Sequence, residues 1–333
     1  MSYEEFFQLR EQPFSNAPDS RYYFNSSQHG EALLRLMHAV RSNAGLAVLV
    51  GDIGAGKTTL ARRLLDELDE REFESALLVV VHSSISAEWL LRKIAAQLGV
   101  EQVSADRVEI LAAIYQRLLK IREEGRKAVV LIDEAQMLQS RELMEEFRGL
   151  LNLELPTHKL VTFVFFGLPS LDQTLALDEP LRQRVALRYR LSAMGPDTTA
   201  AYIRHRLRVA GGGDRDIVRP DALALIHRYA RGIPRLVNVI CDNCLFEAFL
   251  VKKDHVDAAV VAGVAADLGL KPLAAAGCPA GPPASGPPAP EPAPAPAPPS
   301  AAPQGPPQRR STDALLNREE VESLGLLGEY EPG

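Results

Sequence analysis

A glycine-rich turn followed by a lysine and two threonines contains residues that can do chemistry together. Residues 49–65 read LVGDIGAGKTTLARRLL, in which Gly51, Gly56, Lys57 and Thr58 follow the spacing G-x-x-x-x-G-K-S/T. Glycines at this spacing let backbone N–H groups wrap phosphate oxygens, while the lysine contacts the β- and γ-phosphates and the hydroxyl ligates Mg²⁺. The stretch predicts a nucleoside triphosphate site formed by Gly51, Asp52, Ile53, Gly54, Ala55, Gly56, Lys57, Thr58 and Thr59.

Two adjacent carboxylates form a second candidate centre. In AVVLIDEAQML, an apolar run typical of a buried strand ends in Asp133 and Glu134. We expect this strand to neighbour the phosphate loop, so that Asp133 joins Thr58 around Mg²⁺ and Glu134 polarises an attacking water as general base. An Asp-Glu pair at this place favours water as the acceptor of the phosphoryl group. Two exposed acids that cap a following helix are the alternative.

Alternating strand-like runs and amphipathic helical stretches must position these groups. Apolar runs predict five strands, at residues 46–50, 76–81, 128–132, 160–166 and 185–191. Strands that alternate with helices are typical of an α/β protein with a parallel sheet. From about Gly195 onward the pattern is helical throughout, which predicts an all-helical subdomain after the sheet.

Composition narrows the class of protein. The 333 residues are 46% hydrophobic and 24% charged, which suits a folded chain with a substantial core. No window approaches the ~18 consecutive apolar residues of a membrane span. The N-terminus lacks the residue order of a secretory signal, and three cysteines do not favour disulfides. We therefore predict a cytoplasmic protein without a membrane span of its own.

Positive charge is concentrated in one segment. Residues 182–236 contain 12 arginines and no lysine against 4 aspartates, whereas residues 1–181 carry 19 Lys+Arg against 27 Asp+Glu. Arginine suits bidentate contact with phosphate or carboxylate, and a solvated helical face is the alternative interpretation. Because no helix-turn-helix pattern or aromatic stripe accompanies the arginines, DNA is a less favoured candidate partner.

The last part of the chain is dominated by proline, alanine and glycine. This composition at residues 270–308 predicts a disordered linker, since it lacks an apolar pattern that can form a core. Residues 309–333 regain helical character and predict a short helix or peptide that docks on a protein partner, with a frayed terminus as the alternative.

Several motifs, taken in order, resemble a known family. The phosphate loop, LIDEAQ, LRQRVALRY and GIPRLVN are similar to the motifs of AAA+ ATPases. The opening segment from YEEFFQLREQPF to LLRLMHAV, together with GLPSL, resembles the ATPase domain of the general secretion pathway protein A (ExeA-type) family. The resemblance covers about residues 3–265 and implies a P-loop NTPase fold, with a three-layer αβα core around a parallel five-stranded sheet.

The resemblance also implies how the chain is divided. An N-terminal segment that covers the nucleotide, an ATPase core and a helical lid precede the linker and the terminal helix. The expected boundaries are 1–30, 31–192, 193–269, 270–308 and 309–333.

Three arginines receive roles from the resemblance. Arg182 or Arg184 is expected to be an arginine finger that reaches the γ-phosphate of ATP in a neighbouring subunit, so that hydrolysis needs a homo-oligomer. Arg235, in GIPR, is similar to the sensor-2 arginine with which the lid contacts bound nucleotide.

Four further residues are expected near the nucleotide. The resemblance implies that His29, with Phe14 and Phe24, covers the adenine, although core packing is the alternative for the two phenylalanines. Ser83 lies near the place where a polar switch residue often ends the second strand.

One position departs from the family's pattern. The family commonly has Gly-Gln-Pro-Glu-Leu at the end of the fourth strand, where this chain reads GLPSL, so Leu168 replaces the polar sensor-1 side chain. Loss of one group that orients the attacking water costs on the order of tenfold in rate. We therefore expect tight ATP binding with slow basal hydrolysis.

The expected function is to bind and hydrolyse ATP and to couple nucleotide state to assembly of a partner complex. The resemblance implies a type II secretion or type IV pilus-like envelope system, reached through the C-terminal tail, with the protein peripheral to the inner membrane through that partner. A DNA-associated ATPase regulator of the transposition type is the alternative, and a nucleotide-dependent scaffold without useful hydrolysis is a third hypothesis.

Overall fold

The computed structural model describes residues 2–17, 19–101, 104, 106–156 and 158–273. All of them belong to one unit, Met1–Ala276. The predicted linker beyond residue 273 and the predicted terminal helix at residues 309–333 lie outside the described residues.

Seven strands are present in the described residues. In chain order they are β1 (Leu46–Gly51), β2 (Phe73–Val79), β3 (Lys127–Asp133), β4 (Glu154–Leu155), β5 (His158–Lys159), β6 (Val161–Gly167) and β7 (Val185–Leu191). The five long strands form a parallel sheet in the spatial order β2-β3-β6-β1-β7, and β4 and β5 form a small antiparallel pair. The predicted parallel five-stranded sheet is confirmed, whereas the small pair was not expected.

The second strand lies earlier in the chain than predicted. It runs from Phe73 to Val79 instead of over residues 76–81. Its neighbour β3 ends at Asp133, which is paired with Val79, so Val81 has no strand beside it and is 67% exposed. The apolar run in the sequence continues past Val79, but the strand ends there because β3 offers no further residue to pair with.

Twelve α-helices accompany the sheet in the described residues. They are α1 (Tyr3–Phe6), α2 (Ser27–Arg41), α3 (Lys57–Glu67), α4 (Ala87–Gln97), α5 (Arg107–Glu123), α6 (Arg141–Leu151), α7 (Leu171–Leu175), α8 (Glu179–Arg182), α9 (Pro196–Leu207), α10 (Pro220–Ala230), α11 (Pro234–Leu250) and α12 (Ala258–Asp267). Side chains of Ser86, Asp106 and Ser140 accept backbone N–H groups at the starts of α4, α5 and α6. No helix among those described is both long and apolar enough to span a membrane.

Strand β1 shows how helices enclose the sheet. Leu46, Val48 and Val50 pack in a cluster with residues of α4, α5 and α6, while Ala47 and Leu49 pack in another with residues of α2 and α3. Alternate side chains of a strand point to opposite faces, so both faces are buried, as is usual for parallel sheets. The predicted three-layer αβα core is confirmed.

From β7 to residue 273, where the described residues end, the regular structure is helical apart from one bridge between Val218 and Val256, as predicted. Helices α9 to α12 surround a separate hydrophobic cluster that also contains Tyr3, Phe7 and Phe14 from the N-terminal segment. The first residues of the chain therefore pack on the helical lid.

A buried arginine fastens the N-terminal segment to the lid. Arg206 of α9 donates to the backbone oxygens of Pro13 at 2.6 Å and Ser15 at 2.8 Å, and to the hydroxyl of Tyr202 at 2.8 Å. Its guanidinium also lies 4.8 Å from the centre of the Tyr22 ring. These contacts use one of the arginines of the basic segment for structure rather than for an external partner.

Candidate nucleotide site between the sheet and the lid

A cavity of about 980 Å³ lies between the phosphate loop and the helical lid. Sheet-side residues, lid residues and the N-terminal segment all contribute to its walls. The sequence-predicted residues that line it are Ile53, Gly54, Gly56, Lys57, Thr58, Thr59, Glu134, His29 and Arg235. The structure thus brings most of the predicted nucleotide-binding residues to one place.

The phosphate loop needs its two inner glycines. Gly54 and Gly56 adopt left-handed φ angles of +76° and +100°. A Cβ atom at Gly54 would lie 2.7 Å from Cβ of Arg235, and one at Gly56 would lie 2.9 Å from Nε2 of His29. Tight approach of the lid and of α2 therefore adds a second reason for glycine besides backbone freedom.

The loop leads directly from β1 into α3. Gly51 is the last residue of β1, Ala55 is buried, and α3 begins at Lys57 without a side-chain cap on its first N–H groups. Uncapped amides at a helix start carry partial positive charge and bind anions well. The N-terminus of α3 therefore has free backbone N–H groups that can bind a phosphate.

The lysine of the loop is buried beside negative charge. Lys57 is 6% exposed, and its Nζ donates to the backbone oxygen of Asp52 at 3.0 Å. Burial lowers the pKa of Lys57, and the negative charges of Glu134, Asp133 and Asp52 oppose that shift. A bound phosphate would add an anion that accepts a direct hydrogen bond from this ammonium group.

The expected metal pair is in contact. The Thr58 hydroxyl donates to a carboxylate oxygen of Asp133 at 2.7 Å, and Asp133 is 1% exposed. Burial raises the pKa of Asp133, with the Thr58 hydrogen bond acting in the opposite direction. A hydroxyl and a buried carboxylate are hard oxygen donors whose charge a cation would balance, so the pair fits Mg²⁺.

The end of β3 lies beside the phosphate loop at Thr58, although β3 and β1 are not adjacent in the sheet. Strand β6 lies between β3 and β1, so the strand that carries Asp133 does not neighbour the strand before the phosphate loop. Helix α3 packs against both β3 and β6, and its first turn brings Thr58 to Asp133. The Thr58–Asp133 contact therefore depends on where α3 packs on the sheet, which the pattern of strands in the sequence does not reveal.

The second carboxylate faces the cavity from a left-handed backbone. Glu134 has φ 55° and ψ 36°, and its backbone N–H donates to Asp133 at 2.9 Å. Its side chain makes no capping hydrogen bond to the short turn that follows, so the alternative of a helix-capping acid lacks support. A non-glycine residue in this region is uncommon and often marks a functional site.

Sequence reasoning missed Gln136. Its amide nitrogen donates to the Glu134 carboxylate at 2.5 Å, and its amide oxygen accepts the backbone N–H of Leu168 at 3.0 Å. Leu168 lines the cavity at the end of β6, as expected for the sensor-1 position. The motif LIDEAQ contained this glutamine two residues after Glu134, which was the available signal.

The lid and N-terminal segment form the opposite wall. Arg235 lines the cavity, and its backbone N–H donates to the Gly54 oxygen at 3.3 Å. Phe24 also lines the cavity, whereas Phe14 is 2% exposed in the lid cluster, which is the packing alternative.

His29 lies against the phosphate loop. It is 8% exposed, and its Nδ1 is 2.7 Å from the Ser26 hydroxyl. Burial lowers the pKa of His29, although a hydrogen bond to the backbone of Ala55 opposes this. The ring is therefore fixed between the N-terminal segment and the loop.

Three predicted residues lie away from the cavity. Arg182 pairs with Glu179 at 3.3 Å with half of its side chain exposed, and neither it nor the half-buried Arg184 lines the cavity. Ser83 is exposed in the loop after β2 and is also absent from the lining. Gln136, rather than Ser83, contacts Glu134.

Comparison with known proteins agrees with this geometry. Residues 40–175 match the family model described as AAA domain. The Aeropyrum pernix ORC2 structure has a TM-score of 0.59 at 18% identity, covering 77% of this chain and 71% of that one. The Drosophila ORC structure bound to DNA has a TM-score of 0.59 at 17% identity, covering 79% of this chain and 66% of that one. The chain therefore has the P-loop AAA fold, and its residues 40–175 are similar in sequence to AAA domains.

Sequence similarity narrows the relationship. The chain is 38% identical over 250 residues to general secretion pathway protein A of Aeromonas hydrophila, which covers 74% of this chain and 45% of that protein. The predicted resemblance to this family is therefore confirmed. The chain spans about half the length of this relative.

Proposed function

We propose that this chain binds ATP with Mg²⁺ and hydrolyses it to ADP and phosphate. The observation that carries the proposal is that Lys57, Thr58 and Glu134 line one cavity at the start of α3, with Asp133 hydrogen-bonded to Thr58 behind it. Glu134 accepts a proton from water, whose oxygen bonds to the γ-phosphorus as the bond from that phosphorus to the ADP oxygen breaks. When bound, Mg²⁺ at Thr58 and Asp133 would neutralise phosphate charge.

The lid side holds the nucleotide. Arg235 is exposed at the cavity and is attached to the loop through Gly54, so it is suited to contact phosphate when the lid closes. His29 and Phe24 cover the side of the cavity that the N-terminal segment forms. This arrangement supports a pocket that closes around ATP from two sides.

A homo-oligomer completes the site. Arg182 and Arg184 lie outside the chain's own cavity, which is the placement that a finger acting on a neighbouring subunit requires. An arginine supplied in this way stabilises charge on the transferring phosphoryl group and is worth a large factor in rate. We expect hydrolysis per subunit to rise with protein concentration as subunits associate.

Nucleotide state couples to the assembly of a partner complex. The relationship to general secretion pathway protein A supports an envelope partner of the type II secretion or type IV pilus kind. In this proposal the protein is cytoplasmic, reaches the inner membrane through that partner, and uses residues 309–333 as its point of contact.

DNA-associated regulation of the transposition type is the second candidate. It is favoured by Arg190, which is exposed on the edge strand β7. Other arginines of the basic segment are used within the chain: Arg206 is buried, and Arg208 pairs with Asp214 at 3.2 Å. A steep loss of DNA affinity between low and physiological salt, with ATP present, would favour this candidate.

The decisive experiment compares wild type with Glu134→Gln. We expect the variant to bind a fluorescent ATP analogue with affinity within about twofold, while phosphate release falls by on the order of 10²-fold or more. Hydrolysis that survives in Glu134→Gln would overturn the proposed reaction. If the variant loses hydrolysis but keeps cellular function, the scaffold hypothesis is correct instead.

Oligomerisation and the partner need separate tests. Arg182→Ala or Arg184→Ala should remove the concentration-dependent part of hydrolysis without changing ATP affinity. An affinity pull-down from extracts with ATP, using the whole chain and the same chain without residues 309–333, tests the proposed point of contact. Envelope components that are retained equally by both forms would contradict it.

A further inference from the structure

The Glu134 carboxylate is connected to the end of the neighbouring strand β6 by a side chain that the expected mechanism does not include. The contact from Gln136 to Glu134 is 2.5 Å, and the contact from Leu168 N to Gln136 is 3.0 Å. Leucine at position 168 cannot orient a carboxylate or a water through its side chain. We propose that Gln136 is a positioning residue for Glu134 and makes the polar connection to β6 that Leu168 lacks. This inference rests on the proposed ATPase function.

The surroundings of Gln136 hold its amide in one orientation. The residue is 7% exposed in the turn Ala135–Met137, directly after Glu134. Its oxygen lies so close to Gly167 that a Cβ atom there would be 3.0 Å away. A flipped amide would point an NH₂ group at the N–H of Leu168 and an oxygen at a carboxylate, which is repulsive at both ends. The two partners and the tight packing therefore select the observed arrangement.

A neutral amide suits a general base better than a cation would. It donates one hydrogen bond that restricts carboxylate rotation, but it does not neutralise the negative charge with which Glu134 attracts a proton. Its anchor is the backbone N–H of Leu168, which is present whatever side chain stands at that position. The structure thus accounts for how a chain with leucine at the sensor-1 position can still orient its base.

The kinetic test is Gln136→Met, which keeps the length and packing of the side chain and removes both hydrogen bonds. We expect kcat for ATP to fall by about 10- to 100-fold, while KM and the affinity for a fluorescent ATP analogue stay within about twofold. Gln136→Glu should lower kcat as well, because it places a second carboxylate next to Glu134. The matched control is Gln139→Met, at an exposed site three residues further on, which should behave like wild type.

A second measurement does not depend on hydrolysis. With ¹⁵N-labelled glutamine in the nucleotide-free full chain, the side-chain amide signal of Gln136 is assigned by its loss in Gln136→Met. We expect this signal to move when Glu134→Ala is introduced and to stay in place in Glu70→Ala, an exposed control. A signal that ignores Glu134→Ala would overturn the proposed link.

The outcomes separate the two proposals. If wild type shows no hydrolysis that depends on Glu134, the proposed ATPase function fails, and the effect of Gln136 on hydrolysis fails with it. If wild type hydrolyses ATP through Glu134 but Gln136→Met retains full kcat, only the inference about Gln136 is wrong. A higher kcat in Gln136→Met would also overturn it, since that result means that the glutamine restrains Glu134 in an idle position.

Discussion

The two walls of the cavity are built in different ways. On the sheet wall, Thr58 and Asp133 are joined by a side-chain hydrogen bond of 2.7 Å, and both Lys57 and Asp133 are buried. On the lid wall, Arg235 is exposed and is attached to Gly54 through a backbone hydrogen bond of 3.3 Å. The sheet wall is therefore held by side-chain contacts between buried groups, whereas the lid wall is held by a longer backbone contact. In the proposed function, the sheet wall binds phosphate and Mg²⁺, and nucleotide changes the position of the lid wall.

The largest expected effect compares one cation from each wall. Lys57→Ala should weaken ATP binding by roughly 100-fold, because a buried ammonium group makes strong charge-assisted hydrogen bonds to phosphate. Arg235→Ala should weaken it by about tenfold or less, because the side chain is exposed and screened by water. Isothermal titration with a non-hydrolysable ATP analogue measures both. Equal losses would show that the two walls contribute alike.

Gly54→Ala tests the contact between the walls. The new Cβ would lie 2.7 Å from Cβ of Arg235 at a residue with φ +76°. We expect a loss of about 1–2 kcal/mol of stability from backbone strain, together with several-fold weaker ATP binding as the lid is displaced. Thermal unfolding and ATP titration provide the measurements.

The control for Gly54→Ala is Gly149→Ala. Gly149 lies inside α6 and a Cβ there meets nothing within 4 Å. Alanine should therefore be neutral or stabilise the helix by up to ~1 kcal/mol. Wild-type ATP affinity in Gly54→Ala would show that the lid does not need to touch the loop.

Leu168→Gln tests whether the sheet wall needs a polar side chain at position 168 for hydrolysis. The expected cost of leucine there was on the order of tenfold in rate. Because Gln136 already joins Glu134 to this strand end, we now expect Leu168→Gln to raise kcat by no more than about threefold. A gain of tenfold or more in a phosphate-release assay would mean that the position 168 side chain is the missing group.

The smallest effect concerns pH at the junction of the walls. Burial lowers the pKa of His29, so the unfolded chain binds a proton more readily than the folded one. The stability that His29 contributes is present above the ordinary histidine pKa of about 6.5 and is lost as pH falls through its lowered folded value.

His29→Asn should therefore reduce the drop in melting temperature between pH 7 and pH 5 by a few degrees. His38→Asn, at an exposed position on the same helix, is the control. An unchanged pH slope in His29→Asn would show that other buried groups determine the acid sensitivity.

Local sequence was sufficient to predict the site residues that lie close together along the chain. The glycines and lysine of the phosphate loop act within one turn between β1 and α3, so their spacing alone predicted their place. Strands β1, β3 and β6 could be predicted because each is an apolar run buried on two faces, whereas β7, at the edge of the sheet, alternates more and less exposed side chains. The end of β2 could not be predicted, since pairing with β3 rather than apolar character ends it at Val79.

Residues that act across the chain were harder to predict. Gln136 stood in a quoted motif, yet its role depends on Leu168, which approaches it only because β3 and β6 are neighbours. The contact of Thr58 with Asp133 likewise depends on how α3 crosses the sheet. Spacing along the chain contains no information about such crossings.

The sequence by itself determined the phosphate loop, the Asp-Glu pair and the class of fold, because these depend on residue type, local conformation and the periodic burial of apolar side chains. Tertiary structure decided which groups meet: Thr58 with Asp133, Arg235 with Gly54, and Gln136 with both Glu134 and Leu168. The physical reason is that hydrogen bonds and close packing act over a few ångströms in space, and only the folded sheet and lid bring distant segments within that range.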